Sequence, residues 1–334
     1  MKKLIPLAVA SALLLTGCGS GNYAATQLPA EPAPTQASTA PSTTTPCSKE
    51  GELASYAPNE NTPAPGGVMP AGSYMEKIKD RGRLIAGVSA DSLHLGSRNP
   101  LTGQIEGFDI DMINMVADAI FGPPAPGQAH KVELRVISSP QRIPSLQNNT
   151  VDIVARNMTI NCARWQQIAF SAEYYRSGQK TLVQRDSPAK KTEDLDGQTV
   201  CAPAGSTSLD NLKKKNPAVK PITADSDTGC LVLFQQGKAQ AISGDDTVLA
   251  GDAAQDPYAK ILPERFSDEP YGLGINKKNV DFVRFVNAAL AQMKTPGPSG
   301  ISAWMASYNK WLGPDLGPLK APPKAIYGRV PVKQ

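Results

Sequence analysis

The sequence predicts an α/β chain folded as two similar lobes, each a sheet flanked by helices, with two crossings between them. Three observations carry this. The order β-α-β-α-β occurs twice, over residues 83–155 and again within 178–272, which implies parallel-type sheets with right-handed crossovers. Short apolar strands empty into polar turns, the arrangement of open α/β sheets that bind ligands at their carboxyl ends. A returning strand at Pro270–Ile275 precedes two more helices, so the chain goes back to the first unit.

The elements follow in order. Residues 1–17 read as a secretory signal peptide: Lys2 and Lys3 precede an apolar run, Leu4 to Leu15, too short for the ~20 residues that span a bilayer. Residues 18–70 are rich in Ala, Pro, Ser, Thr and Gly. Such a composition buries too little apolar surface to fold alone, so a flexible tether is expected. Lobe 1 is expected over 71–177 plus 273–334, and lobe 2 over 178–272. In lobe 1, RLIAGV (Arg83–Val88) is a strand and Ser89–Ile105 a loop. A helix follows to Phe121, with Ile110, Ile113, Ala117 and Ile120 at helical spacing. Asp109 and Asp111 suit its positive end. Pro123, Pro124 and Pro126 stop it. KVELRVIS (Lys131–Ser138) alternates as a strand, Arg142–Asn148 is a short helix, and Val151–Ala155 is the third strand.

Lobe 2 opens with the strand Thr181–Gln184 and continues with strands at Gln198–Cys201, Lys220–Thr223 and Ala239–Ser243. Helices intervene after Gly205 and over Thr228–Gln236. Two further helices, Asn279–Met293 and Gly300–Leu312, return to lobe 1. Gly313–Gln334 is Pro-rich and is expected to lie loosely on the surface.

The formal net charge is +4, and loss of Lys2 and Lys3 leaves +2. That is too mild a balance for nucleic acid. The chain holds five cysteines. With Cys18 set aside, four remain and allow three pairings. Cys201 and Cys230 share one segment and are expected to pair, which leaves Cys47 with Cys162. Cysteine spacings do not suit zinc, and His94 and His130 are the two histidines. No metal or cofactor is expected.

The stretch Val151–Tyr175 carries the densest chemistry. A strand empties into a turn with Asn157, Thr159 and Arg164. A planar guanidinium at a strand end is a natural carboxylate partner, because its fork donates two parallel hydrogen bonds. Arg164 would otherwise be a surface ion-pair partner, and Thr159 a turn cap. Asp245 and Asp246 end the AQAIS strand of lobe 2, where an Asp also caps helices. Asp91 ends the first strand similarly. An Arg and a Thr on one lobe facing a carboxylate on the other suit a zwitterion, since buried charges must be paired.

These residues resemble those of the amino acid-binding proteins of ABC importers, the solute-binding family 3 of the glutamine/glutamate type. The resemblance rests on RLIAGVSADS, EGFDIDMINMVADAI, IPSLQNNTVDIVARNMTINCARWQQIAFSAEYYRSG, DLDGQTVCAPAGSTS and FQQGKAQAISGDDTVLAG, across residues 75–312. It implies the two-lobe type II periplasmic binding protein fold. It implies further that Arg164 and Thr159 hold the ligand's α-carboxylate beside the Asn157 backbone, and that Asp245 holds the α-ammonium. Asp91 and His94 would line the mouth, and Ser206 and Thr207 would add donors at a helix N-terminus. The chain departs from the pattern at His94 and Ser139, where relatives place aromatic rings, at Pro203 for Lys, and at Gln240 for Asp. Arg98 and Arg156 are extra cations near the expected mouth, placed to read an acidic side chain. Leu15-Thr16-Gly17-Cys18 resembles a lipobox, which implies acylation of Cys18 and a membrane anchor.

The expected activity is lipid-anchored binding of a polar amino acid (glutamate, glutamine, aspartate or asparagine) outside the cytoplasmic membrane, as a monomer, for an ABC permease. A second reading keeps the binding and hands the closed form to a membrane sensor protein that controls a cytoplasmic kinase. An enzyme is not expected: no G-x-S-x-G and no His-paired nucleophile is present.

Overall fold

A computed structural model of the protein describes Cys47, Ser48 and residues 51–331. The expected signal peptide, Cys18 and the tether through residue 46 lie outside the described residues. Among the described residues, no helix is long and apolar enough to cross a membrane.

The apolar strand Leu84–Val88 is buried throughout. It pairs in parallel with Val132–Val136 on one side and Ile153–Ala155 on the other. The sheet of lobe 1 then continues through the short strands Gly274–Ile275 and Ala169–Phe170, both antiparallel to their neighbours. In lobe 2, Lys220–Ala224, Thr199–Pro203 and Ala241–Asp245 form a parallel trio. Tyr175–Gln184 closes it antiparallel to Ala241–Asp245 and also carries Ala259–Ile261 and Ser267–Tyr271. Each sheet therefore has the expected parallel core plus antiparallel additions. The additions arise because the chain crosses between lobes and must return in the opposite direction.

The crossing is itself a ribbon. Tyr175–Gln184 runs out of lobe 1 as one continuous strand, longer than the expected Thr181–Gln184, and Ser267–Tyr271 returns beside it from the Ser267–Gln179 pair to the Tyr271–Tyr175 pair. Tyr174, Tyr175, Tyr271, Phe108 and Trp304 pack in edge and tilted contacts at its lobe 1 end. The Trp304 indole donates to the Tyr174 carbonyl at 2.8 Å.

Lobe 2 shows the period of a sheet covered on both faces. Leu182, Cys201 and Ile242 face one core with Phe234, while Val183, Val200 and Ala241 face another with Leu212. In lobe 1 the helix Phe108–Phe121 buries Phe108, Ile110, Met112, Ile113, Val116, Ala117 and Ile120. Gly107 starts it at φ 142°, and a Cβ there would lie 2.4 Å from the Leu95 carbonyl oxygen. Glycine is thus required where the loop 89–106 folds over the helix start. That loop, expected to be irregular, forms a small sheet of Asp91–Ser92, Gly96–Arg98 and Ile105–Glu106.

Two segments differ from expectation. Residues 51–70 are packed rather than free. The Ser55 hydroxyl donates to the Phe170 carbonyl at 2.7 Å, and Tyr56 and Met69 are buried. The C-terminal tail is likewise held, with Ser55 and Tyr327 bridged as a strand pair. In each case specific hydrogen bonds supply what the Pro-rich composition cannot.

The disulfides are Cys47–Cys162 and Cys201–Cys230, as the cysteine arithmetic expects. Cys201–Cys230 closes a separation of 29 residues inside lobe 2. Replacing both cysteines by alanine is expected to lower unfolding free energy by about 3 kcal/mol, from restored chain entropy. Denaturant unfolding of the double variant against the parent checks this.

Candidate functional site

The strand ends of both lobes meet across a buried polar layer. Arg156 and Asn157 follow the strand Ile153–Ala155. Asn157 takes a left-handed backbone, φ 36°, which costs energy for any residue with a Cβ. Asp109 accounts for the turn: its Oδ2 accepts from the Asn157 N–H at 2.9 Å, and its Oδ1 accepts from the Tyr174 hydroxyl at 2.7 Å. The sequence suggests a helix-end charge at Asp109. The structure uses it to hold the turn.

Arg164 lies on the four-residue helix Cys162–Trp165, capped by Asn161, whose Oδ1 accepts from the Arg164 N–H at 2.9 Å. Its guanidinium is buried and donates to the Thr159 carbonyl at 2.7 Å and across the cleft to the Gly205 carbonyl at 3.4 Å. Thr159 and Thr207 meet from opposite lobes, hydroxyls 3.2 Å apart, and both donate to Glu269 Oε2 at 2.6 and 2.7 Å. Asp245 is 4 % exposed. It stands at the N-cap of the helix Asp246–Gln255 without a side-chain capping bond. Its carboxylate instead accepts from the Tyr271 hydroxyl at 2.7 Å. Burial, and then the negative charge of Glu269, push the Asp245 carboxyl well above the usual carboxylate range. Burial pushes the Arg164 guanidinium below its ordinary value, and Glu269 and Asp245 oppose that shift. Among the described residues, no ion pair joins Arg164 or Asp245 to an opposite charge. A buried donor fork and a buried carboxylate thus lie on opposite lobes, neither in a direct ion pair.

The structure brings together Arg164, Thr159, Asn157, Asp245 and Thr207, and sets Arg156 beside them. Arg156 is not at an open mouth. It is 1 % exposed, donates to the Ile137 carbonyl and the Ser139 hydroxyl, and lies 3.5 Å from Asp227 of lobe 2. Asp91 accepts from Ser89 at 2.6 Å, and its backbone carbonyl accepts from Thr228 of lobe 2 at 2.7 Å. Ser206 is occupied as a helix cap: its hydroxyl accepts from the Leu209 N–H and donates to the Pro203 carbonyl. His94 and Arg98 stand apart from the group. His94 Nε2 lies 3.0 Å from Asp315 of the C-terminal segment. Arg98 is exposed and donates to the Gly103 carbonyl within its own hairpin. His94 lies in the turn between Asp91–Ser92 and Gly96–Arg98, and Arg98 ends the latter strand.

Four residues of the layer escape sequence reasoning: Arg142, Asp227, Glu269 and Tyr271. Arg142 is 3 % exposed and donates to the carbonyls of Ser139, Arg156, Asn157 and, across the cleft, Gly205. Burial, then Arg164 and Arg156, push its guanidinium well below the ordinary value. The rule that singles out Arg164 also covers Arg142, which follows the end of the second strand. Glu269 lies within a strand of the hinge and carries no comparable signal.

Residues 84–314 match the bacterial extracellular solute-binding proteins, family 3. The chain belongs to this family. Its members are binding proteins rather than enzymes. A glutamine-binding protein of Geobacillus stearothermophilus is 38% identical over 211 residues, 63% of this chain and 79% of that protein. A glutamate-binding protein, GluB, of Corynebacterium efficiens is 31% identical over 247 residues, 71% of this chain and 80% of that one. Among solved structures, an ancestral arginine-binding protein bound to glutamine superposes with a TM-score of 0.63 at 32% identity, covering 70% of this chain and 99% of that one. The family 3 assignment fits the hinge ribbon and the two sheets: this is the type II two-lobe fold.

Asp109 gives the site a pH signature. Burial raises its pKa to about 6, against the opposing bonds from Asn157 and Tyr174. A raised carboxyl pKa favours the folded state most below the unfolded value near 4, and that contribution is lost as pH rises through about 6. The stability of the parent relative to Asp109→Asn should therefore fall by roughly 2–3 kcal/mol between pH 4 and pH 7. Thermal melts of both proteins across that range measure the difference.

Proposed function

We propose that this family 3 protein binds a polar L-amino acid between its lobes and delivers it to an ABC permease. Arg164 and the Thr159 turn take the α-carboxylate, and Asp245 takes the α-ammonium. The single observation behind this reading is a buried guanidinium, Arg164 on lobe 1, and a buried carboxyl, Asp245 on lobe 2, neither in a direct ion pair. A zwitterion satisfies both, and it removes the desolvation cost that holds the Asp245 carboxyl toward its neutral form. The names of the relatives, glutamine- and glutamate-binding, point to the same ligand class.

The side-chain preference falls among glutamate, glutamine, aspartate and asparagine. Arg156 does not favour an acidic side chain over an amide, because its guanidinium is buried and already held by Ile137, Ser139 and Asp227. The resemblance of Leu15-Thr16-Gly17-Cys18 to a lipobox supports an acylated Cys18 and a membrane anchor outside the cytoplasm. It acts as a monomer, since one chain supplies both lobes of the site.

Calorimetry with the twenty amino acids tests the reading; binding of none of them would sink it. Arg164→Ala is expected to weaken every ligand by at least about a hundredfold, as for loss of a buried charge partner. Asp245→Asn should weaken them by about tenfold or more, since the amide keeps the hydrogen bond from Tyr271 but not the charge. Retention of affinity by either variant contradicts the assignment.

A further inference from the structure

Both ends of the described chain converge on the helix that carries Arg164, on the side away from the cleft. Cys47 is joined to Cys162, the first residue of that helix, with Cα atoms 5.4 Å apart. Trp165, its last residue, donates its indole N–H to the Glu52 carbonyl at 2.7 Å. Arg329, near the C-terminus, lays its guanidinium over the Trp165 ring at 3.7 Å. The same guanidinium donates to the carbonyls of Ala54 at 2.8 Å and Gly51 at 3.1 Å. The Ser55–Tyr327 bridge ties the two ends to each other. Trp165 also meets Tyr56 and Phe170 edge-on.

A four-residue helix cannot hold its own shape, because nucleation costs more than so few bonds return. The position of Arg164 therefore depends on what packs against its neighbours. We propose that this clasp of N-terminal arm and C-terminal tail is a positioning element for the carboxylate site, with Arg329 its central residue acting through Trp165. The inference rests on Arg164 as the carboxylate partner. It adds that Arg329, which packs on Trp165 and the N-terminal arm, sets ligand affinity. It adds also that oxidation of Cys47 and Cys162 to the disulfide, with a two-electron acceptor such as another protein's disulfide taking the electrons, raises that affinity.

The test is a double-mutant cycle read by calorimetry. Arg329→Ala should weaken all bound amino acids by a common factor of about ten, because the carboxylate is what they share. In an Arg164→Lys background the same substitution should change affinity by less than about twofold, since a lysine does not use the forked geometry that the clasp maintains. Cys47→Ser with Cys162→Ser should weaken binding in the same uniform way. Arg329→Lys keeps the charge but not the planar stacking face, and serves the same cycle if the alanine variant does not fold. An equal loss in both backgrounds would show a structural role only and overturn the proposal, as would unchanged affinity in Arg329→Ala. If the unaltered protein binds no amino acid, the carboxylate reading falls and this inference with it. If the parent binds and the cycle shows no coupling, only this inference falls.

Discussion

Everything in this fold turns on how charge is buried where the lobes meet. Three guanidinium groups, Arg142, Arg156 and Arg164, and four carboxylates, Asp109, Asp227, Asp245 and Glu269, are all below a tenth exposed. Charges removed from water cost several kcal/mol each unless paired and hydrogen-bonded. Most of the layer meets that demand internally. Arg156 faces Asp227, Asp109 accepts two bonds, Glu269 accepts from Thr159 and Thr207, and Arg142 is spread over four carbonyls. Arg164 and Asp245, on opposite lobes, are hydrogen-bonded but in no direct ion pair among the described residues. The proposed zwitterionic ligand would place a carboxylate on the one and an ammonium on the other.

The scaffold is arranged around that requirement. Each lobe contributes a parallel strand trio whose carboxyl ends point into the cleft. The connecting ribbon contributes Glu269 and Tyr271, so two polar contacts of the site come from the chain that joins the lobes. Gly205 has the left-handed φ of 65° and offers its carbonyl to Arg142 and Arg164 of the opposite lobe. The chain ends then brace the Arg164 helix from behind.

The strand–helix order, the two crossings and both disulfide pairings were legible in the sequence because each rests on local pattern or on counting. Arg164, Thr159 and Asp245 are singled out by the sequence because they lie at or soon after the ends of apolar strands, and the structure brings them together. His94 and Arg98 meet a similar criterion of position, yet in the structure they bond to Asp315 and to the Gly103 carbonyl, in a small sheet whose short strands leave no periodic signal. Glu269 and Asp227 were not legible, because their role exists only once two lobes distant in sequence come together. The packed arm and tail were missed for a related reason. Their order comes from long-range hydrogen bonds to Phe170, Asn287 and Trp165 rather than from an apolar repeat.

The central claim is that the α-carboxylate lies on Arg164 and the α-ammonium on Asp245. A crystal structure of the protein with its tightest-binding amino acid tests that claim most directly. The account predicts carboxylate oxygens about 3 Å from the Arg164 guanidinium and the ammonium nitrogen about 3 Å from the Asp245 carboxylate. A bound amino acid with its carboxylate on Arg142 or Arg156 instead, or with its ammonium away from Asp245, would contradict it.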